Sequence, residues 1–269
     1  MSVENSVIDL SPGDVMIAAG LVLISGGISV ALKLNMEKKL ALASFRTVAQ
    51  LLLIGFVLQK VFEISTLPAL IPVVLFMLLT AAHTAVGRPA RTFAGLGPLA
   101  FGTMAVTSLA VTITATGLII GVDPWFRPAY LIPLLGMVLG NTMNGVSLAT
   151  DHFLETLSER RHEVEMELAM GATRWEAARR PISDSVRRGM IPIINSMMVV
   201  GVVSLPGMMT GQILAGTNPA VAVKYQIMIM FMIAAGASMG SMGMVLLSYR
   251  RLFNSRHQLL FGRIKVRRK

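Results

Sequence analysis

No cysteine occurs in the 269-residue sequence, which excludes disulfide frameworks, thiolate metal sites and cysteine nucleophiles. Charged residues are also scarce, at 14%. Hydrophobic residues make up 54% instead, and the mean hydropathy is +0.68. This balance is typical of an integral membrane protein and not of a soluble domain.

The sequence also lacks a phosphate-binding loop of the G-x-x-x-x-G-K-[ST] type. A reaction driven by nucleotide hydrolysis would therefore need ATP and Mg²⁺ to bind a separate chain, and this chain is expected to bind no cofactor. An intramembrane enzyme is also disfavoured, because His83 is the only histidine near an apolar run and a Ser/His pair is hard to assemble. We therefore expect this chain not to be an enzyme.

Seven apolar runs have about the 17 to 25 residues that a transmembrane helix needs. They cover residues 15–32, 40–59, 67–82, 93–121, 129–147, 190–216 and 220–249, and none contains Asp or Glu. The charged residues before the first run are all acidic, whereas a cleavable signal peptide begins with a basic region. This run is therefore expected to remain as a span. The sequence predicts an all-α integral membrane protein of about seven transmembrane helices in one domain, residues 1–269.

The basic residues are distributed unevenly between the loops. If the spans alternate in direction, one side of the membrane carries all but four of the 24 Lys and Arg residues, the exceptions being Arg46, Lys60, Arg127 and Lys224. The positive-inside rule then predicts an amino terminus outside and a carboxyl terminus in the cytoplasm. Because orientation in the bilayer accounts for the net charge of +10, no nucleic acid partner is expected.

The basic tail, residues 250–269, has two interpretations. It is either a stop-transfer anchor attracted to anionic lipid headgroups or a contact surface for a cytoplasmic partner.

The long loop at residues 151–189 is the most charged part of the chain, with seven Arg and eight acidic residues, so it must lie in water. Apolar residues recur in it at near-helical spacing and predict an amphipathic helix that Gly171 ends. Thr173, followed three residues later by Glu176, predicts a capping box for a second, short helix. Pro181 is expected to end that helix and to begin the next one.

This loop resembles the cytoplasmic EAA-type loop of ABC transporter permeases, in which a short helix docks in a groove of the ATPase. Glu165 precedes Gly171 by six residues, as in that loop, and GATRWEAARR follows; Met166 and Glu167 replace its two alanines, and no Leu-Pro pair follows Ile182. The resemblance implies an ATPase-coupling site formed by Glu165, Glu167, Gly171, Ala172, Thr173, Trp175 and Glu176. The alternative is a solvated helical hairpin without a partner.

The wider sequence is similar to the bacterial iron-export ABC permease family, which includes plant aluminium-tolerance membrane proteins. The matching segments are SLPGMMTGQILAG (204–216), GMVLGNTMNG (136–145) and NSRHQL in the tail. The resemblance implies a permease of the bacterial cytoplasmic (inner) membrane that forms a homodimer, binds two copies of an ABC-type ATPase and exports iron or another metal. The alternative is a stand-alone secondary transporter or channel for a different solute, although the spans offer no carboxylate for ion coupling.

Polar and thioether side chains inside the spans are the candidates for lining a pathway. They are Arg46, Gln50, Asn141, Met143, Asn144, Asn195, Met208 and Met209. The last two follow Pro206 and Gly207, where we expect the helix to be broken and backbone carbonyls to be freed. Each also has a structural interpretation: Arg46 can reach the interface, the Asn residues can bond helices together, and Met is a common core residue. Because Fe(III) and Al(III) prefer carboxylates, the spans do not favour tight binding of a bare hard cation, and no metal ligand can be assigned.

Overall fold

The computed structural model describes residues 11–64 and 66–267. The acidic residues Glu4 and Asp9 and the last two basic residues of the tail lie outside this range. The helices are α1 (Pro12–Ala31), α2 (Glu37–Ile64), α3 (Leu67–Gly87), α4 (Leu96–Ile113), α5 (Pro128–Glu159), α6 (Arg161–Ala169), α7 (Arg174–Val199), α8 (Gly207–Leu214) and α9 (Pro219–Leu252). Two short strands, β1 (Arg91–Thr92) and β2 (Lys265–Val266), pair antiparallel.

The all-α, multi-pass architecture is confirmed, but seven continuous spans are not. Among the described residues, six helices are long and apolar enough to cross a bilayer: α1, α2, α3, α4 with the π-helical turn Thr114–Ile119, α5 and α9. The sixth predicted span, residues 190–216, is not one helix. Its first part belongs to α7, and the chain is then non-helical from Val200 to Pro206 before α8 begins.

The break before α8 has a local cause. Pro206 lacks a backbone N–H, and Gly201 adopts a positive φ of 84°, so neither residue suits a continuous helix. The predicted interruption near Pro206 and Gly207 is therefore confirmed. Ile193 on α7 packs in one apolar cluster with Leu134 and Val138 of α5, so this part of α7 lies against the bundle, whereas Met198 and Val199 at its end are exposed.

The prediction that Pro181 ends a short helix is wrong. Residues 174–199 form one continuous helix, with Pro181 and Pro192 in its interior. A proline inside a helix costs about 3 kcal/mol. Here α7 packs against α5 and α9, burying Ala178, Pro181 and Ile182 in the core, and this tertiary packing outweighs the cost.

The centre of the bundle is formed by α5, α7 and α9, which approach closely through small residues. Gly145 on α5, Gly189 on α7 and Ser241 on α9 meet at one point, where a Cβ on Gly189 would lie 2.7 Å from the Gly145 carbonyl oxygen. Small residues at helix contacts are typical of membrane bundles, because the backbones can then pack directly on one another. In contrast, α1 and α2 pack mainly on each other and are almost entirely exposed.

The basic loop at residues 88–91, the charged loop at residues 151–189 and the basic tail meet at one end of the bundle. The Ala90 backbone N–H donates to Asp151 at 2.8 Å, Arg91 pairs with Glu155 at 3.8 Å, and β1 pairs with β2 of the tail. With 32 residues, α5 is ~48 Å long and exceeds the ~30 Å hydrocarbon core. Its charged end therefore continues beyond the bilayer, which agrees with the prediction that residues 151–189 lie in water.

Candidate coupling surface and intramembrane polar sites

The charged loop folds as a packed knob, the name we use for residues 151–189. Its helices bury an apolar core of their own, contributed by Phe153, Leu154, Leu157, Val164, Ala177, Ala178 and Ile182. The same cluster continues into α9 through Leu252 and Phe253. The predicted amphipathic helix is present but is interrupted at Arg160, where α5 ends and α6 begins. Motion of the knob is therefore coupled by packing to the central helices.

A glycine turn separates α6 from α7. Gly171 has a φ of 97°, a conformation that strains any residue with a Cβ. Its N–H donates to the Leu168 carbonyl at 3.2 Å, and the Ala172 N–H donates to the Glu167 carbonyl at 3.0 Å. These two bonds form the Schellman motif that commonly ends a helix at glycine. The predicted break at Gly171 is confirmed.

The capping box at the start of α7 is also confirmed. The Thr173 hydroxyl accepts from the Glu176 N–H at 3.3 Å, and the Glu176 carboxylate accepts from the Thr173 N–H and from its hydroxyl, both at 2.7 Å. These bonds, the backbone one first, lower the pKa of Glu176 from its ordinary value of 4.5 because they stabilise the ionised carboxylate. The cap is therefore at full strength at neutral pH.

The carboxyl tail holds the same helix start from the other side. The Arg174 backbone N–H donates to Nδ1 of His257 at 2.8 Å, although the two residues are 83 positions apart. His257 is presented by a tight turn in which Asn254 Oδ1 accepts from the Gln258 N–H at 2.9 Å. The Trp175 ring meets the Tyr249 ring edge-to-face at a centroid distance of 5.8 Å. The tail thus packs on the knob, and neither sequence interpretation of the tail anticipated this contact.

The tip of the knob exposes large apolar side chains to water. Met170 is 82% exposed, Met166 59% and Trp175 48%. Glu165 lies beside the tip and pairs with Arg161 at 2.7 Å, whereas Glu167 is exposed. The structure therefore brings all seven predicted coupling residues together on one small, rigid projection, and their role in coupling stays a prediction.

The intramembrane candidates do not converge on one site. Arg46 and Gln50 are exposed on α2, and Asn195 is exposed on α7. These three side chains therefore face lipid or another chain rather than a cavity within this bundle.

The two Asn residues on α5 bond to this chain. Asn141 donates through Nδ2 to the Met137 carbonyl at 2.9 Å, and Asn144 Oδ1 accepts from Arg88 at 2.6 Å. Met143 is partly buried against the core. These contacts favour a bonding role for Asn144 between α5 and the end of α3, which is one of the two interpretations that the sequence left open.

Met209 lines a cavity of about 510 Å³ between the α7–α8 break and α9, together with Met197, Met230 and Gln226. Met208 packs beside it in the neighbouring apolar cluster. Gln226 is only 6% exposed, and its Oε1 has no hydrogen-bond partner among the described residues. Sequence reasoning missed this residue, although a glutamine inside an apolar run of α9 was a sufficient signal.

Nowhere in residues 11–64 and 66–267 do three or more His, Cys, Asp or Glu side chains form a group that could hold a metal ion. The cavity beside Gln226 offers thioethers and amide oxygens instead. Such ligands suit a soft or weakly held metal better than a bare Fe(III) ion.

Comparison with known proteins identifies the family. The model of UPF0014, described as an uncharacterised protein family, matches residues 12–253. The chain is 37% identical over 264 residues to the UPF0014 membrane protein slr1647 of Synechocystis, covering 96% of this chain and 99% of that protein. It is 34% identical over 252 residues to the probable iron export permease protein FetB of Escherichia coli, covering 93% and 95%. The corresponding values for the UPF0014 membrane protein STAR2 of Oryza sativa are 32% over 243 residues, 90% and 84%. No solved structure matches. The predicted resemblance is therefore confirmed, and the chain belongs to the UPF0014 family of membrane proteins, together with the probable iron export permease of Escherichia coli and the plant relatives.

Proposed function

We propose that this chain is the membrane-spanning permease subunit of an ABC transporter, which exports iron or another metal with ATP hydrolysed by a separate subunit. The observation that carries the proposal is the tip of the knob. Met166, Met170 and Trp175 are exposed to water on a projection whose backbone is fixed by a Schellman turn and a capping box. Exposed apolar groups on a rigid, preorganised surface are typical of a protein-binding site.

The continuity of α7 supplies a mechanical link for this function. The helix runs without interruption from the tip of the knob, past Ile193 in the bundle core, to Val199, over 26 residues and ~39 Å. Its inner end adjoins the cavity lined by Met209 and Gln226. When the ATPase moves the tip, the continuous helix α7 transmits the displacement to the non-helical segment before α8. The break can absorb such a displacement, because residues 200–206 are not held in a helix.

The finer assignments are part of the same proposal. The uneven distribution of basic residues supports an orientation with the knob in the cytoplasm, where ATP is available. The bacterial relatives support the inner membrane as its location. The exposed α2 and the exposed face of α7 suit a homodimer, with one ATPase docked on each knob. We propose iron as a substrate because the Escherichia coli relative is named a probable iron export permease. Copper is a second candidate substrate, because thioethers line the cavity.

The experiment co-expresses and purifies this chain with a candidate ABC-type ATPase of the same organism, reconstitutes both in vesicles and measures ATP hydrolysis. Gly171→Arg and Gly171→Ala form a matched pair. Both variants strain the backbone at the positive φ, but a Cβ there meets nothing within 4 Å, so only the arginine adds bulk at the tip. We expect Gly171→Arg to abolish copurification and stimulated hydrolysis, and Gly171→Ala to retain both.

Circular dichroism and gel filtration verify that both variants remain folded. Iron, copper and aluminium are then compared as stimulants of the wild-type complex. The proposal fails if the chain alone moves solute across the vesicle membrane, or if the arginine and alanine variants bind the ATPase equally well. The first result would instead establish a stand-alone secondary transporter or channel.

A further inference from the structure

A second surface of this protein carries a charge pattern that the transport mechanism does not use. A cavity of about 650 Å³ lies where the start of α4, the end of α9 and the tail meet. Three cationic side chains line it: Arg251 at the end of α9, and Arg263 and Lys265 in the tail. Thr92, Phe93 and Ala94, which lead into α4, also line it, and no acidic residue does.

No ion pair neutralises these three cations within residues 11–64 and 66–267. Five ion pairs occur among the described residues, and none involves Arg251, Arg263 or Lys265. Arg263 is held in place through Nη1, which donates to the Arg251 backbone carbonyl at 2.8 Å. Like charges fixed around one cavity repel each other, and an anion in the cavity removes that repulsion.

The position of the cavity indicates where the anion comes from. α4 and its π-helical turn together span 24 residues, ~36 Å, which exceeds the ~30 Å hydrocarbon core by only a few ångströms. The residues just before α4 therefore lie in the headgroup layer of the bilayer. The phosphodiesters of phospholipids are concentrated in that layer.

We propose that this cavity binds the phosphodiester of an anionic phospholipid, with Arg251, Arg263 and Lys265 as its ligands. The bound lipid would join the start of α4 to the tail that packs on the knob. This assignment depends only on the position of the chain in a membrane and not on the ATPase. Its test is consequently independent of the proposed transport function.

The experiment titrates the purified full chain with phosphatidylglycerol and measures bound lipid by native mass spectrometry. Arg251→Gln combined with Lys265→Gln removes two ligands and leaves the bond of Arg263 intact. The matched control combines Arg250→Gln with Arg256→Gln, which removes the same charge from two exposed positions that do not line the cavity. Phosphatidylcholine and inorganic phosphate serve as the zwitterionic and soluble probes.

We expect phosphatidylglycerol to bind the site variant about tenfold more weakly than the wild type, and the control variant to change less than twofold. Equal losses in both variants would overturn the proposal, because they would show general attraction to the basic tail. Equally tight binding of phosphatidylcholine, or displacement of the lipid by inorganic phosphate, would also overturn it. So would unchanged lipid binding together with lost ATPase copurification in the site variant, since the cavity would then face the partner protein.

Discussion

His257 offers the sharpest test of how the tail fixes the start of α7. The first N–H groups of a helix have no partner within it, and two of those in α7 are satisfied in different ways. Thr173 accepts from Glu176, whereas the Arg174 N–H depends on His257 Nδ1 at 2.8 Å. His257→Ala leaves the capping box intact and removes only the second acceptor.

The expected magnitude follows from this single bond. Loss of a helix-capping acceptor costs about 1 kcal/mol, within the usual contribution of one hydrogen bond. Because water can approach this exposed helix start, we expect a cost of that size rather than the larger penalty of a buried donor. A cost of about 1 kcal/mol raises the population of the locally open state about fivefold.

The assay is amide hydrogen exchange by mass spectrometry on the peptide spanning residues 171–180. We expect about fivefold faster exchange in His257→Ala and partial recovery in His257→Asn, because asparagine also offers an acceptor and tolerates the positive φ of 55° at this position. His162→Ala is the control, since His162 is exposed on α6. If the exchange of this peptide is the same in His257→Ala and His162→Ala, the tail does not hold the start of α7.

Two further predictions concern packing and pH. Gly189→Ala places a Cβ 2.7 Å from a backbone carbonyl oxygen that cannot turn away, so we expect a loss of about 1 to 3 kcal/mol in the free energy of unfolding, whereas the control Gly140→Ala meets nothing within 4 Å. Thermal unfolding in detergent compares the two, and equal stability would contradict the close contact of α5 with α7. The pKa of Glu176 is lowered in the folded state, so its cap contributes stability above the unfolded pKa and loses it as the pH falls through the folded pKa. Exchange at residues 173–177, corrected for the intrinsic rate, is expected to accelerate below about pH 4.5 in the wild type and to lose this dependence in Glu176→Gln.

Local signals in the sequence were sufficient for the turn of the knob. Gly171 needs a positive φ, and the capping box joins residues only three positions apart, so both could be predicted without tertiary information. Both predictions were correct because the interactions that form these two motifs lie within a few residues of each other. The break before Pro206 was predictable for the same reason.

The errors arose where distant segments decide the structure. Pro181 is a helix-ending signal by itself, but burial between α5 and α9 keeps it inside α7. The His257 cap joins residues 83 positions apart, and the bond from Arg88 to Asn144 joins residues 56 apart, so no local pattern could reveal either. Hydropathy also predicted one span over residues 190–216, because an average over apolar residues does not detect a non-helical break between them.

The corrected path of α7 changes how the two predicted sets of functional residues relate. If α7 were two helices divided at Pro181, a flexible hinge would join the knob to the bundle, and motion of the tip would not be transmitted past that hinge. As one helix, α7 connects the Gly171 turn directly to the segment beside Met209 and Gln226. The non-helical residues 200–206 are then the nearest place where the backbone can change shape at low cost. A rigid rod that ends at a deformable break is the arrangement that a coupled permease requires, since force at one end becomes rearrangement at the other.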